Sequence, residues 1–348
     1  MTARAPGVSA PVSILPKKKN RGHAVMLHAA MVGATAVALY LAVRDVPFGE
    51  IATAVGGLSL WQILLVVLLN IAFHLVIGAR WWLVARPGVP QARFLEMVAV
   101  RLGGFAISYF TPGPQLGGEP LQILYLRKRS ASLARAAGTV AMDKLLELLA
   151  NFGFLLVGGL LLLQTRLPAT IGLVSPEPLV VIGLLLAWPP LHLLLLRRGM
   201  HPVSAVLGWL GPRPPFRTAV RSIVASEHLA GRFCRRRTKA LLGGIALSIL
   251  AGGIVVMEYG LIASFLGMVL TFPEMLTSWT ASWLSFGVPL PGALGALEAS
   301  QRITLGAFGV PASTALALVL VLRGRDLTFG SIGLLLAGAW LGLLRRAE

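Results

Sequence analysis

Cysteine and acidic side chains are both scarce in this chain of 348 residues. The single cysteine, Cys234, excludes an internal disulfide and has no partner at a metal-ligand spacing. The sequence also has no Walker loop, no dinucleotide fingerprint, no paired metal-ligand motif and no Gly-x-Ser-x-Gly elbow. Its polar stretches are too short to fold a catalytic domain. We therefore expect no metal, no cofactor and no enzymatic activity in this chain.

Charge is low overall, and apolar residues dominate. Charged residues make up 13% of the chain and hydrophobic residues 56%, with a mean hydropathy of +0.79. Several apolar runs are near the roughly 20 residues that a helix needs to cross a bilayer. This predicts an all-α polytopic membrane protein with about six spans plus two re-entrant hairpins, or about eight spans if the hairpins cross. The runs lie at residues 25–43, 59–78, 146–163, 178–196, 240–268 and 328–344.

Basic residues outnumber acidic ones by 31 to 13. They gather beside the apolar runs, as the positive-inside rule requires, so the net charge does not indicate a nucleic-acid partner. Lys17 to Lys19 precede the first run and predict a cytoplasmic N-terminus. The basic loop 197–239 should lie on the same side. It has two open interpretations: an interfacial helix on anionic headgroups, or a solvated loop that only sets topology.

A short pattern occurs twice in otherwise apolar surroundings. Each copy has a helix-breaking Pro-Gly, a Glu six residues after the Gly, and a base 25 residues after the Glu. Two broken apolar segments in matching halves indicate a membrane-embedded site. The first copy contains Pro112, Gly113, Glu119 and Lys144, and the second contains Pro291, Gly292, Glu298 and Arg323.

The flanking charges predict how the halves are oriented. Bases at both ends of 93–135 predict a re-entrant hairpin from the cytoplasmic face, whereas 274–308 should enter from the opposite face. We therefore expect one membrane domain at 25–344 between short tails at 1–24 and 345–348, built as an inverted repeat. Its halves cover about 59–163 and 240–344, and the 197–239 loop joins them. The weak point is 312–322, which is apolar enough to insert and is followed by Arg323 and Arg325 on the expected outer side.

Charged residues inside apolar segments are costly and are therefore functional candidates. Glu119 and Glu298 have two open interpretations: they cap helices, or they face a central cavity where they bind a cationic group or cycle a proton. Glu258 is either functional or a carboxyl kept protonated by burial. The full set proposed for substrate binding or translocation is Glu119, Glu298, Arg101, Arg127, Arg302, Asp143, Lys144 and Glu258, with Pro112, Gly113, Pro291 and Gly292 as structural tips.

Individual roles follow from side-chain chemistry. Arg101, Arg127 and Arg302 carry the planar guanidinium that suits a lipid phosphate. Asp143 and Lys144, with Glu147 one turn later, favour local pairs at the membrane edge. Arg80, which precedes Trp81 and Trp82, is typical of an interfacial anchor.

Four segments together resemble a known family. They are Arg80-Trp81, the stretch 112–119, the run 136–144 and the stretch 289–298. They resemble the lysylphosphatidylglycerol synthase transmembrane region, also called the flippase-like membrane family, over about 25–344. The resemblance implies a bacterial cytoplasmic membrane protein that moves lipids, including aminoacylated phosphatidylglycerol, with relatives linked to hopanoid or polyprenyl-linked glycan pathways. It assigns the site to Glu119 and Glu298.

The sequence thus predicts an integral lipid translocase whose partners are anionic or aminoacylated membrane lipids. Because the chain has no soluble aminoacyl-transferase domain, another protein would modify the lipid. Two alternatives remain open at this stage. The first is a proton-coupled carrier of a small polar solute. The second is a non-transporting partner that docks a lipid-modifying or glycan-assembling enzyme through the 197–239 loop.

Overall fold

The computed structural model describes residues 33, 37, 39, 40, 44–111, 117–129, 131–162, 176–210, 217–288 and 290–346. Within these residues the chain forms helices and no strands. A single 3-10 turn, Pro291–Ala293, precedes α11. The helices are α1 (Phe48–Gly56), α2 (Leu60–Ala85), α3 (Phe94–Phe110), α4 (Glu119–Lys128), α5 (Leu133–Leu162), α6 (Pro176–Arg197), α7 (Pro202–Leu210), α8 (Arg217–Arg236), α9 (Thr238–Phe265), α10 (Phe272–Ser285), α11 (Ala296–Ala307) and α12 (Ala312–Arg346).

Three of the described helices are long and apolar enough to cross a membrane. They are Leu60–Ala85, Leu133–Leu161 and Thr238–Phe265, which correspond to α2, α5 and α9. This confirms the predicted helical membrane protein. The apolar run at 25–43 lies largely outside the described residues, as do the tips at Pro112 and Gly113.

The C-terminal region differs from the expectation. The apolar segments 312–322 and 328–344 belong to one continuous helix of 35 residues, α12, which is about 52 Å long at 1.5 Å per residue. Arg323 and Arg325 therefore lie within a helix rather than on an outer loop, and Arg323 is buried. In the sequence, the charges of Arg323 and Arg325 look like the end of a span. The acidic partners that neutralise them inside the helix bundle are visible only in the structure.

Local sequence signals explain where some helices begin. At the start of α2 the backbone N–H of Ser59 donates to Gln62 Oε1 at 2.8 Å. At the start of α10 the backbone N–H of Thr271 donates to Glu274 Oε2, also at 2.8 Å. Both are capping boxes, in which a side chain at the third helical position satisfies an N–H group that has no helical partner.

Helices from the N-terminal part of the chain pack directly against helices from the C-terminal part. α2 lies against α9 and α3, and α3 lies against α12. The α3–α12 crossing is very close: a Cβ added at Gly333 would lie 2.4 Å from the carbonyl oxygen of Leu102. Ala106 and Ala337, both buried, are at the same crossing. Small residues are therefore required here for the two backbones to meet.

Three separate apolar clusters hold groups of these helices together. One surrounds Trp81 and Tyr125, both fully buried, where α2, α4 and α5 meet. A second surrounds Tyr259 and Leu305 and joins α9, α10, α11 and α12. A third surrounds Cys234 and joins α5, α6, α8 and α9.

Candidate functional site

A central cavity of about 230 Å³ lies between the two copies of the repeat. Helices α2 to α5 line one side, and α9, α10 and α12 line the other. Trp279, Trp283 and Phe286 contribute aromatic surface. The charged residues that line it are Arg80, Arg101, Glu119, Lys144, Glu147, Arg325 and Asp326.

The first network surrounds the cavity on the side of the first copy. It consists of Arg80, Arg101, Glu119, Asp143, Lys144 and Glu147, with equal numbers of bases and acids. Asp143 is its centre and is fully buried. Arg80 donates to both Asp143 oxygens, at 2.7 and 3.3 Å, and to Glu147 at 3.1 Å. Arg101 donates to the same two carboxylates. These pairs link α2, α3 and α5 and neutralise charges that would be very costly alone.

The interpretation of Arg80 as an interfacial anchor is wrong. Its side chain is buried, at 1% relative exposure, and it pairs with Asp143, which is 63 residues away in sequence. Lys144 and Glu147 do form the predicted local pair, at 2.8 Å. Asp143 instead joins three helices, so these residues connect the fold as well as pairing locally.

Glu119 is the first residue of α4 and lines the cavity. Gly118 brings it there, because a Cβ at that position would lie 2.2 Å from the carbonyl oxygen of Gly104 on α3. Glu119 Oε1 is 3.7 Å from Lys144 Nζ. Its Oε2 makes no hydrogen bond to any described residue. Glu119 is therefore loosely held, and its Oε2 is a buried acceptor with no partner among the described residues.

The second network consists of Glu258, Glu298, Arg323, Arg325 and Asp326. Arg323 donates to Glu298 at 3.0 to 3.2 Å and to the carbonyl oxygens of Gly292 and Ala293 in the 3-10 turn. Glu298 also accepts from the backbone N–H of Gly295 at 2.7 Å. Glu298 thus caps α11 and anchors the tip, and it is not among the residues that line the cavity.

Arg325 reaches the cavity from the second network. It donates to Glu258 at 2.7 Å and to Asp326 at 2.7 Å. Glu258 is fully buried, so its position in the span is stabilised by this partner.

The repeat extends beyond the Pro-Gly, the Glu and the base. In both copies a Gln follows the Glu by three residues, and an acid follows the base by three residues. Gln122 accepts from Arg101 at 3.4 Å, whereas Gln301 accepts from Tyr259 and donates to the carbonyl of Ser278. Comparing the two copies beyond the Glu and the base would have found these residues. The additional members are Gln122 and Glu147 in the first copy and Gln301 and Asp326 in the second.

The structure separates the remaining candidates from the cavity. Arg127 is exposed in the last turn of α4, and Arg302 is half-buried on α11. Neither lines the central cavity. Arg127 and Arg302, which were predicted to contact a lipid phosphate, therefore lie outside this cavity. Arg101 lines it.

The profile of the family described as "Lysylphosphatidylglycerol synthase TM region" matches residues 25–333. The chain belongs to this family. A search of curated protein sequences found no significant match. The lysylphosphatidylglycerol synthase transmembrane region, together with the apolar helices, identifies a membrane protein related to lipid handling. The match confirms the family resemblance that the short motifs indicated.

Proposed function

We propose that the protein moves a membrane lipid between leaflets, with the lipid headgroup passing through the central cavity. Family membership supports a role in lipid handling. The observation that carries the proposal is Glu119, which lies at the cavity wall with one carboxylate oxygen unbonded to any described residue. A buried unsatisfied carboxylate oxygen is costly, so a ligand that donates to it is favoured.

The charge balance of the cavity supports a polar headgroup. The first network contains as many bases as acids, and they pair with each other. A headgroup phosphate can accept from Arg101 or Lys144 while a positive or hydroxyl group donates to Glu119. The phosphate then replaces a carboxylate partner of Arg101 or Lys144, and the donor fills the unbonded oxygen of Glu119, which limits the desolvation cost on binding.

The size of the cavity supports movement of the headgroup alone. At about 230 Å³, it is smaller than the roughly 300–1,000 Å³ of sites that enclose drug-sized molecules. Lipid acyl chains would not fit inside it. They would remain in the bilayer while the headgroup crosses, and no charged headgroup would then be exposed to hydrocarbon.

The test is headgroup accessibility in proteoliposomes that contain labelled phosphatidylglycerol, its lysyl form or a neutral lipid. For Glu119→Gln we expect translocation to fall at least about tenfold, because a hydrogen bond to a charged group is worth roughly 1.5–3 kcal/mol. The matched control is Glu96→Gln, a carboxylate of similar exposure that pairs with Arg129 outside the cavity. It should translocate at the wild-type rate.

Other results would support different functions. If no lipid is translocated by folded wild-type protein, the proposal fails. Uptake of a small polar solute into the same vesicles would then favour the proton-coupled carrier. Equal loss in Glu119→Gln and Glu96→Gln would mean that the cavity has no special role.

A further inference from the structure

A second pocket of about 490 Å³ shares no lining residue with the central cavity. No acidic residue is among the described residues that line it. We call it the basic pocket because four arginines line it: Arg135, Arg232, Arg236 and Arg237.

The basic pocket lies where membrane-spanning helices end. Val84, which lines it, is the second-last residue of α2, and Arg237 immediately precedes α9. Both α2 and α9 are apolar and long enough to cross a membrane. A pocket at the ends of two spans lies at the depth of lipid headgroups.

The pocket combines basic walls with an apolar floor. Met142, Leu229 and Phe233 line it beside Val84. Burial of apolar lipid surface against such residues contributes roughly 25 cal/mol per Å². A soluble anion or a nucleic acid would use the arginines but would gain nothing from this floor.

The helix that carries two of the arginines is held firmly. α8 approaches α5 so closely that a Cβ at Gly138 would lie 3.0 Å from the carbonyl oxygen of Ser226. Ser226 Oγ also donates to the carbonyl of Ala134 at 3.2 Å. Arg232 and Arg236, one turn apart on α8, are exposed beside this contact. Their guanidinium groups are thus presented from a fixed backbone, which reduces the entropy lost when they bind a ligand.

Arg135 completes the wall from α5. One of its guanidinium nitrogens donates to the carbonyl of Gly88 at 3.4 Å, and Gly88 also lines the pocket. A guanidinium has five N–H donors, so this single bond fixes the side chain while others stay available for a phosphate.

We propose that the basic pocket binds the phosphate of an anionic phospholipid whose acyl chain lies along the apolar floor. This lipid is bound at the membrane surface and is separate from any lipid that passes through the central cavity. The proposal is therefore independent of the translocation proposal, and binding alone tests it.

The experiment is a lipid titration of the purified full-length protein, in detergent, with phosphatidylglycerol, phosphatidylcholine or inorganic phosphate. Retained lipid is counted by native mass spectrometry, and the lipid-dependent shift in Tm is recorded. For the double variant Arg232→Gln, Arg236→Gln we expect roughly 30-fold weaker phosphatidylglycerol binding, since each base near an anionic lipid contributes a factor of about five to six. Phosphatidylcholine and inorganic phosphate should shift the Tm of neither protein.

The matched control is the double variant Arg221→Gln, Lys239→Gln. It removes the same charge from exposed positions in α8 and α9 that do not line the pocket, and it should bind like the wild type. Equal weakening in both double variants would indicate diffuse attraction and overturn the proposal, as would equal stabilisation by inorganic phosphate. If the pocket variant is poorly folded without lipid, the single variant Arg135→Gln provides the same test.

Discussion

Each copy of the repeat has a Glu and a base at the same spacing, but the two pairs have different roles. In the first copy Glu119 and Lys144 are 3.7 Å apart and line the cavity. In the second copy Glu298 and Arg323 are 3.0 Å apart and hold the tip at Gly292 and Ala293. One pair is loose and accessible, whereas the other is tight and structural. Sequence repetition therefore identified the pairs but not their roles, which depend on what each base contacts besides its Glu.

The largest expected effect is on Arg323. Arg323→Leu leaves the Glu298 carboxylate and two tip carbonyls without their donor in a buried site. Breaking a buried pair in this way costs about 3–5 kcal/mol. We expect a strongly lowered Tm and poor recovery of monodisperse protein. Lys144→Leu, at the equivalent position of the first copy, should lower the Tm much less, because that side chain is 25% exposed. Equal Tm values for the two variants would contradict the comparison.

Conservative exchange of the bases should sharpen the difference. A lysine at 323 has three N–H donors on one nitrogen, whereas the Arg323 guanidinium bonds both Glu298 oxygens, two tip carbonyls and the Tyr109 hydroxyl. We expect Arg323→Lys to cost about 1–3 kcal/mol. The reverse exchange, Lys144→Arg, should change stability by less than about 1 kcal/mol, as is usual for partly exposed pairs. Thermal unfolding in one detergent would measure both. If Lys144→Arg is the more destabilised variant, the first pair is the structural one.

Neutralising the two glutamates should separate stability from transport. Glu298→Gln weakens the bonds that anchor the tip, so its Tm should fall together with its activity. For Glu119→Gln the free energy of unfolding should stay within about 1 kcal/mol of the wild type, with a nearly unchanged Tm, since its ion pair is long and partly exposed, while translocation is lost. Tm and proteoliposome rates measured on the same preparations would check this. A large fall in Tm for Glu119→Gln would show that both glutamates are structural.

The smallest expected effect is on the maleimide reactivity of the Cys234 thiol, which lies on α8. Burial raises the pKa of this thiol to about 11, and its Sγ lies 3.7 Å from Met142 Sδ on α5. Because the thiolate is the reactive form, maleimide labelling should be slow at pH 7 and rise about tenfold per pH unit below that pKa. The Glu119→Gln variant should label like the wild type, whereas Arg323→Leu should label faster. Fast labelling of native wild type at pH 7 would mean that Cys234 is accessible.

Much of the helical content could be predicted, because apolar runs of bilayer length are a strong signal. The charged residues were harder. Arg80 next to Trp81 matches an interfacial anchor in sequence, and only the fold reveals Asp143 beside it. The continuity of α12 was missed for the same reason, since Arg323 and Arg325 look like a span end until Glu298 and Glu258 neutralise them. The repeat did indicate which Glu and base to compare, although it could not indicate that Glu119 lines the cavity and Glu298 does not.

A tilt of α12 against α3 at the close Gly333 crossing would displace residues farther along α12. Arg323 lies ten residues from that crossing, or about 15 Å along the helix axis. A tilt of about 10° around Gly333 would displace Arg323 by roughly 2–3 Å over such an arm. That displacement is comparable with the 3.0 Å between Arg323 and Glu298, so the bonds that hold the tip require α12 to keep its angle to α3. The close approach at Gly333 thus sets the length of the arm between the α3 contact and the Arg323–Glu298 pair.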